Sequence, residues 1–151
     1  MGLQTTHIAV LVCGAAAIGF LLGRLIRGRA PAIESGRPRL AISSAYLRDA
    51  HNASLSLHTR LRCAFDAIYF CCFELACADD AQADALTHPS AELVRTSLAA
   101  TEAATEDRRI AETLADWAVS TATSLPNVSI KAACAAAERI HIAAVSSLST
   151  R

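Results

Sequence analysis

A chain of 151 residues, of which 53% are apolar, is long and apolar enough to bury a core, so disorder throughout is excluded. Four prolines, six glycines and abundant alanine, without runs of alternating Val, Ile and Thr, favour helices over strands. Eleven basic and fourteen acidic residues follow position 29, and this net charge of −3 makes nucleic acid an unlikely partner. We predict an all-α protein with a single N-terminal transmembrane helix, followed by an up-and-down bundle of four to five helices.

The first predicted element is a membrane anchor over residues 1–27, because residues 8–26 form a nearly continuous apolar run of about 19 residues. Arginines follow this run and none precedes it, which predicts an N-terminus outside and a domain in the cytoplasm, at the inner membrane. The lipid bilayer is then a partner. A cleaved signal peptide, a lipoprotein box at Cys13 and a buried core helix are weaker alternatives.

Small residues four apart lie on one face of that anchor, at Ala15, Gly19 and Gly23. Such spacing lets two membrane helices approach closely, so a homodimer is a further expectation. Residues 28–39 combine Pro, Gly and Arg and are predicted to be a basic linker held near lipid headgroups.

Residues 40–148 are predicted to form the helical bundle. A first helix is expected to begin near Ser43 or Ser44, a third near Pro89, a fourth at Thr105 and a fifth after Ser129. The second, over residues 57–78, has apolar side chains on so much of its surface that several helices must surround it. The fourth is expected to continue to Leu125, where Pro126 stops it, and His141 on the fifth is expected to be a core residue bonded to a polar neighbour.

No catalytic motif is present, and the predicted cofactors and metals are none. Six cysteines lack zinc-site spacing and are interpreted as small buried hydrophobes. Arg62 and Asp66, four residues apart, are expected to form an ion pair. A polar groove for a ligand along the second helix is the alternative, and its candidate residues are His58, Arg60, Arg62 and Asp66. His51, Asp49 and His58 are a weaker acid/base or metal candidate.

The segments Tyr46–Ala50, Thr59–Leu61 and Ala64–Tyr69, with His88-Pro89 before the next helix, resemble bacterial HEPN-like proteins. The resemblance implies a bundle that often dimerises and acts as a ribonuclease or as a non-catalytic partner. The nuclease members carry an arginine about four to six residues before a histidine, and that motif is absent here. It therefore implies a non-catalytic member.

The function expected from the sequence is a membrane-anchored, non-catalytic adaptor that binds protein partners, as part of a larger membrane-associated assembly. The alternative is a nucleic-acid-binding protein or ribonuclease of HEPN type, with His58, Arg60 and Arg62 lining its groove.

Overall fold

The computed structural model describes residues 36–78, 90–121 and 123–150, in which the chain forms five α-helices and no strand. The prediction of an all-α helical bundle is therefore confirmed. The helices are α1 (Pro38–His51), α2 (Leu57–Ala78), α3 (Ala91–Ala99), α4 (Thr105–Val119) and α5 (Ile130–Ser149).

The central helix is α2, which packs against each of the other four helices. Its large buried side chains follow the helical period around most of its circumference, which is why no single neighbour could cover them. They include Leu61, Phe65, Ile68, Tyr69, Cys71, Cys72 and Leu75. The fifth helix lies against α1, α2 and α4, and its buried alanines allow close approach.

Serine side chains cap three helices, at Ser56, Ser90 and Ser129, and of these the Ser129 cap is the one predicted. The hydroxyl of Ser90 accepts a hydrogen bond from the Leu93 amide at 3.2 Å, and that of Ser129 accepts one from the Ala132 amide at 3.2 Å. Each bond satisfies one of the amides that the first turn of a helix leaves without a partner.

The first described helix begins earlier than predicted, at Pro38 and not near Ser43. A proline in the first turn loses no hydrogen bond, since the amides there have no intrahelical acceptor. Ser43 is fully buried and bonds to other helices, so it is not a cap. The last two residues of the predicted linker 28–39 are therefore helical.

The fourth helix ends at Val119, before the predicted end at Leu125. The chain turns back at this point, because the Ser120 hydroxyl donates to the Trp117 carbonyl at 2.8 Å. The Trp117 indole N–H then donates to the Ser124 carbonyl at 3.0 Å and holds the returning segment against the helix end. The apolar spacing of residues 117–125 does not reveal this turn.

The predicted membrane anchor, residues 1–27 with Ala15, Gly19 and Gly23, lies outside the described residues. Among the helices that the structure does describe, none has the length and apolar character needed to cross a membrane. The two long ones, α2 and α5, each carry several charged side chains and bury their apolar faces against other helices. This finding contradicts the prediction of a single-pass inner-membrane protein for the part of the chain that the structure describes.

The described cysteines are free thiols, and four of them, Cys63, Cys71, Cys72 and Cys134, are buried. This agrees with their interpretation as small core hydrophobes. Burial raises the pKa of the Cys72 thiol well above its ordinary value of 9.0, and the neighbouring Cys71 raises it further. Burial likewise raises the pKa values of Cys63 and Cys134.

These shifted thiols give the fold a pH dependence on the alkaline side. The unfolded thiols ionise near their ordinary pKa, whereas the folded ones keep their protons, so the unfolded state binds fewer protons above about pH 9. Below that pH we expect these thiols to give the free energy of unfolding no pH dependence. Above it, we expect the free energy of unfolding to fall as pH rises. Urea titrations at pH 7, 8, 9 and 10 measure this. The free energy of unfolding of the Cys72→Ala variant should fall less steeply with pH above 9. An equal slope would contradict the contribution of the Cys72 thiol.

Candidate interaction surface at one end of the bundle

The four residues predicted for a polar groove do not line one surface. The His58 ring packs edge-on against the ring of Trp117 in α4, with centroids 5.2 Å apart. The Arg62 guanidinium donates to the Ala118 carbonyl at 3.2 Å and lies 3.4 Å from the Asp66 carboxylate. These three therefore face α4, and the expected pair of Arg62 and Asp66 is present.

Arg60 lies on the other side of α2, next to the C-terminal end of α1. Its Nε donates to the Ala50 carbonyl at 2.9 Å, and the Cys134 thiol donates to the same carbonyl oxygen at 3.6 Å. Carbonyls in the last turn of a helix have no intrahelical donor and carry the negative end of the dipole, so a guanidinium there is favourable. Arg60 is thus a cap for α1, in a position that its place in the sequence does not reveal.

The weaker candidate set of His51, Asp49 and His58 is also divided between partners. The His51 ring lies 2.8 Å from the Glu138 carboxylate of α5, and His58 contacts Trp117. No group of three or more His, Cys, Asp or Glu side chains placed to hold a metal ion occurs in the described ranges.

An exposed apolar surface lies where α2 begins and α4 ends. Leu57, Val119 and Leu125 are 46%, 47% and 43% exposed, although most large apolar side chains of the described chain are buried. Trp117, half-buried, joins them: it contacts His58, the residue after Leu57, and its indole bonds to Ser124, the residue before Leu125. We call Leu57, Trp117, Val119 and Leu125 the end patch.

A cavity of about 360 Å³ opens at the same end of the bundle, between the C-terminus of α1 and the first turns of α2 and α5. We call it the end cavity. It is lined by His51, Arg60, Ile130, Lys131, Cys134, Ala135 and Glu138. With His51 neutral, its charged side chains sum to one net positive charge, in a domain whose overall charge is negative.

A buried hydrogen-bond cluster joins three helices deeper in the core. The Ser43 hydroxyl of α1 donates to the Ala67 carbonyl at 2.8 Å, and its oxygen lies 2.9 Å from Nδ1 of His141 in α5 and 3.1 Å from the Cys71 sulfur in α2. Since Ser43 has used its one proton, the geometry assigns a proton to Nδ1 of His141. His141 is therefore the polar core residue that its position predicts.

The chemistry that this cluster supports is structural. Cys71 and His141 lie 3.4 Å apart, which is the spacing of a thiol and a base in a nucleophilic pair. However, Cys71 is fully buried, and a nucleophile must reach its substrate. The surface features at the end of the bundle, by contrast, are accessible and suited to binding.

Comparison with known proteins finds no match to this chain among family models, curated proteins or solved structures. The resemblance to HEPN-like proteins is therefore wrong. The segments that carried it have packing roles that any helical bundle needs: the Ala67 carbonyl receives Ser43, the ring of Tyr46 stacks on that of Phe70, and Asp66 pairs with Arg62. Short alanine-rich segments satisfy close helix packing and are not specific to one family.

Proposed function

We propose that this protein is a non-catalytic helical-bundle module that binds a protein partner through the end patch. The observation that carries the proposal is the exposure of three large apolar side chains around the half-buried Trp117. Large apolar side chains grouped at one surface are typical of protein interaction sites, and tryptophan is among the residue types enriched where binding energy concentrates. An up-and-down order of helices belongs to the proposal, favoured by the short connections 52–56 and 100–104.

Charges at the same end of the bundle as the end patch indicate the chemistry of the partner. Arg60 and Lys131 line the cavity at this end of the bundle, and neither forms an ion pair with any described residue. A partner segment with apolar side chains on one face and carboxylates beside them would match both features. We therefore propose an acidic amphipathic segment of another protein as the occupant.

A second copy of this chain fits the same surface less well. A two-fold dimer through the end patch would bring the two sets of cations near each other, because each residue in such an interface faces the same region of its partner. Like charges in proximity weaken association. Self-association through the patch is thus an alternative outcome that the experiment below distinguishes.

We expect display of random 12-residue peptides on the folded protein to enrich sequences that combine Leu, Phe or Trp with Asp or Glu. Trp117 is the only tryptophan of the chain, so its fluorescence reports binding of a selected peptide directly. Changing Val119 or Leu125 to serine should weaken that peptide about tenfold or more, since loss of a central apolar contact costs over 1 kcal/mol. Both side chains are exposed, so the fold should tolerate either change.

Ile142→Ser is the matched control, because Ile142 is also an exposed apolar residue, at 54%, but lies twelve residues along α5 from its start. It should leave peptide affinity unchanged. Equal weakening by all three variants, or enrichment of basic peptides, would contradict the proposal. If the protein forms a concentration-dependent dimer and Val119→Ser makes it monomeric, the occupant of the end patch is a second copy of this chain and not another protein.

A further inference from the structure

We propose that the end cavity binds a small organic carboxylate with a short apolar body. The cavity shares Arg60 and Lys131 with the surface proposed to meet the partner's carboxylates, but the binding of a small molecule here does not depend on a protein partner. Its volume of about 360 Å³ falls at the small end of the range of ligand pockets, which is about 300–1,000 Å³.

Arg60 supplies the first anion-binding group. Its Nε is fixed by the Ala50 carbonyl, and no described residue bonds to its two terminal amino groups, although Arg60 lines the cavity. A guanidinium held by one nitrogen loses little further freedom when the others bind a ligand. The geometry of two parallel N–H donors suits a carboxylate, which accepts both.

Lys131 supplies a second positive charge to the lining, from the first turn of α5. No described residue forms an ion pair or hydrogen bond with its ammonium group. The first-turn amides of Ile130 and Lys131 have no intrahelical acceptor, whereas the Ala132 amide is capped by Ser129. A carboxylate between Arg60 and Lys131 would therefore lie near the positive end of the α5 dipole.

Two other features of the cavity indicate which carboxylates it would accept. Ile130, Cys134 and Ala135 give the cavity an apolar wall, which suits a short aliphatic or aromatic body. Glu138 pairs with His51 at 2.8 Å and adds one negative charge, which disfavours a ligand carrying two or three anionic groups. A monocarboxylate satisfies both features better than a polyphosphate does.

The experiment uses Lys131, which is the only lysine of the chain. Reductive methylation with ¹³C-formaldehyde retains its charge and places one side-chain NMR signal in the cavity. Titration of the full chain with butyrate should shift that signal saturably, whereas butyramide, which has the same shape without the charge, should not shift it. Inorganic phosphate should shift it less than butyrate does.

Three variants complete the test. Arg60→Gln should weaken butyrate binding about tenfold, and Arg109→Gln, at an exposed arginine of α4, should not change it. Because Arg60 also caps α1, Glu138→Gln provides a second measurement: removal of the carboxylate should tighten butyrate binding about threefold without loss of the cap. A signal that does not saturate, equal shifts with butyramide, or weaker binding in Glu138→Gln would overturn the proposal.

Discussion

Changing Leu61 to alanine is expected to lower the free energy of unfolding by about 2–5 kcal/mol. Leu61 lies in α2 and is only 1% exposed, in the core that α2 shares with its neighbouring helices. Alanine would remove buried methyl groups and leave a cavity that the surrounding helices fill only in part. Urea unfolding followed by circular dichroism measures the change.

Leu57→Ala is the matched control, since it is the same substitution one turn earlier in the same helix. Leu57 is 46% exposed, so its loss should change the free energy of unfolding by no more than about 0.5 kcal/mol. Similar losses for the two variants would show that α2 is not buried as described.

Changing His141 to alanine is expected to cost about 2–4 kcal/mol, because it opens a cavity and leaves the Ser43 hydroxyl without its imidazole partner. Ser43→Ala should cost about 1–3 kcal/mol, since Nδ1 of His141 then loses its hydroxyl acceptor and keeps the more distant Cys71 sulfur. Both effects follow from the burial of the cluster, where water cannot replace the missing group.

A double-mutant cycle measures the interaction energy between Ser43 and His141 apart from the effects of the two single substitutions. The variant with both changes should be more stable than the sum of the single effects indicates, by about 1 kcal/mol, because each change removes the same hydrogen bond. Strict additivity would contradict the hydrogen bond between Ser43 and His141. Ser44→Ala is the control, as its hydroxyl lies 3.4 Å from Nε2 of His141 and should contribute little.

The parts of the fold that the sequence predicts are those with a repeated local signal. Helix α2 has apolar residues at helical steps over 22 residues, and the structure begins and ends it at Leu57 and Ala78, as predicted. The fifth helix has an equally regular stripe and a serine cap at Ser129. His141 is predicted to be buried because it lies on that stripe.

The parts that the sequence does not predict depend on contacts between distant segments. The end patch combines the first residue of α2 with residues after α4, and Leu125 is on the inward side of a predicted helix that in fact stops at Val119. The positions of Arg60 and Arg62 on opposite sides of α2 follow from which helix lies beside each one. Their spacing of two residues places them on opposite sides of a helix, but it does not predict which helix lies beside each side.

The pairing of charges between helices also depends on contacts between distant segments. Asp107 is buried, and the exposed Arg139 of α5 binds it through two hydrogen bonds of 2.6 and 2.8 Å. Arg95 of α3 also pairs with a carboxylate of another helix, Asp116 of α4, through one contact between two exposed side chains. These pairs join neighbouring helices, whereas Arg60 and Lys131 of the end cavity form no ion pair with a described residue.

The most direct test of the proposed function is a map of amide chemical shifts on addition of a selected acidic amphipathic peptide. The largest changes are expected in residues 51–60 and 117–131, with the Trp117 indole signal among them. Residues 139–150, which include the exposed Ile142, should change little. Changes centred on that far part of α5, or none at saturating peptide, would contradict the assignment of the end patch as the binding surface.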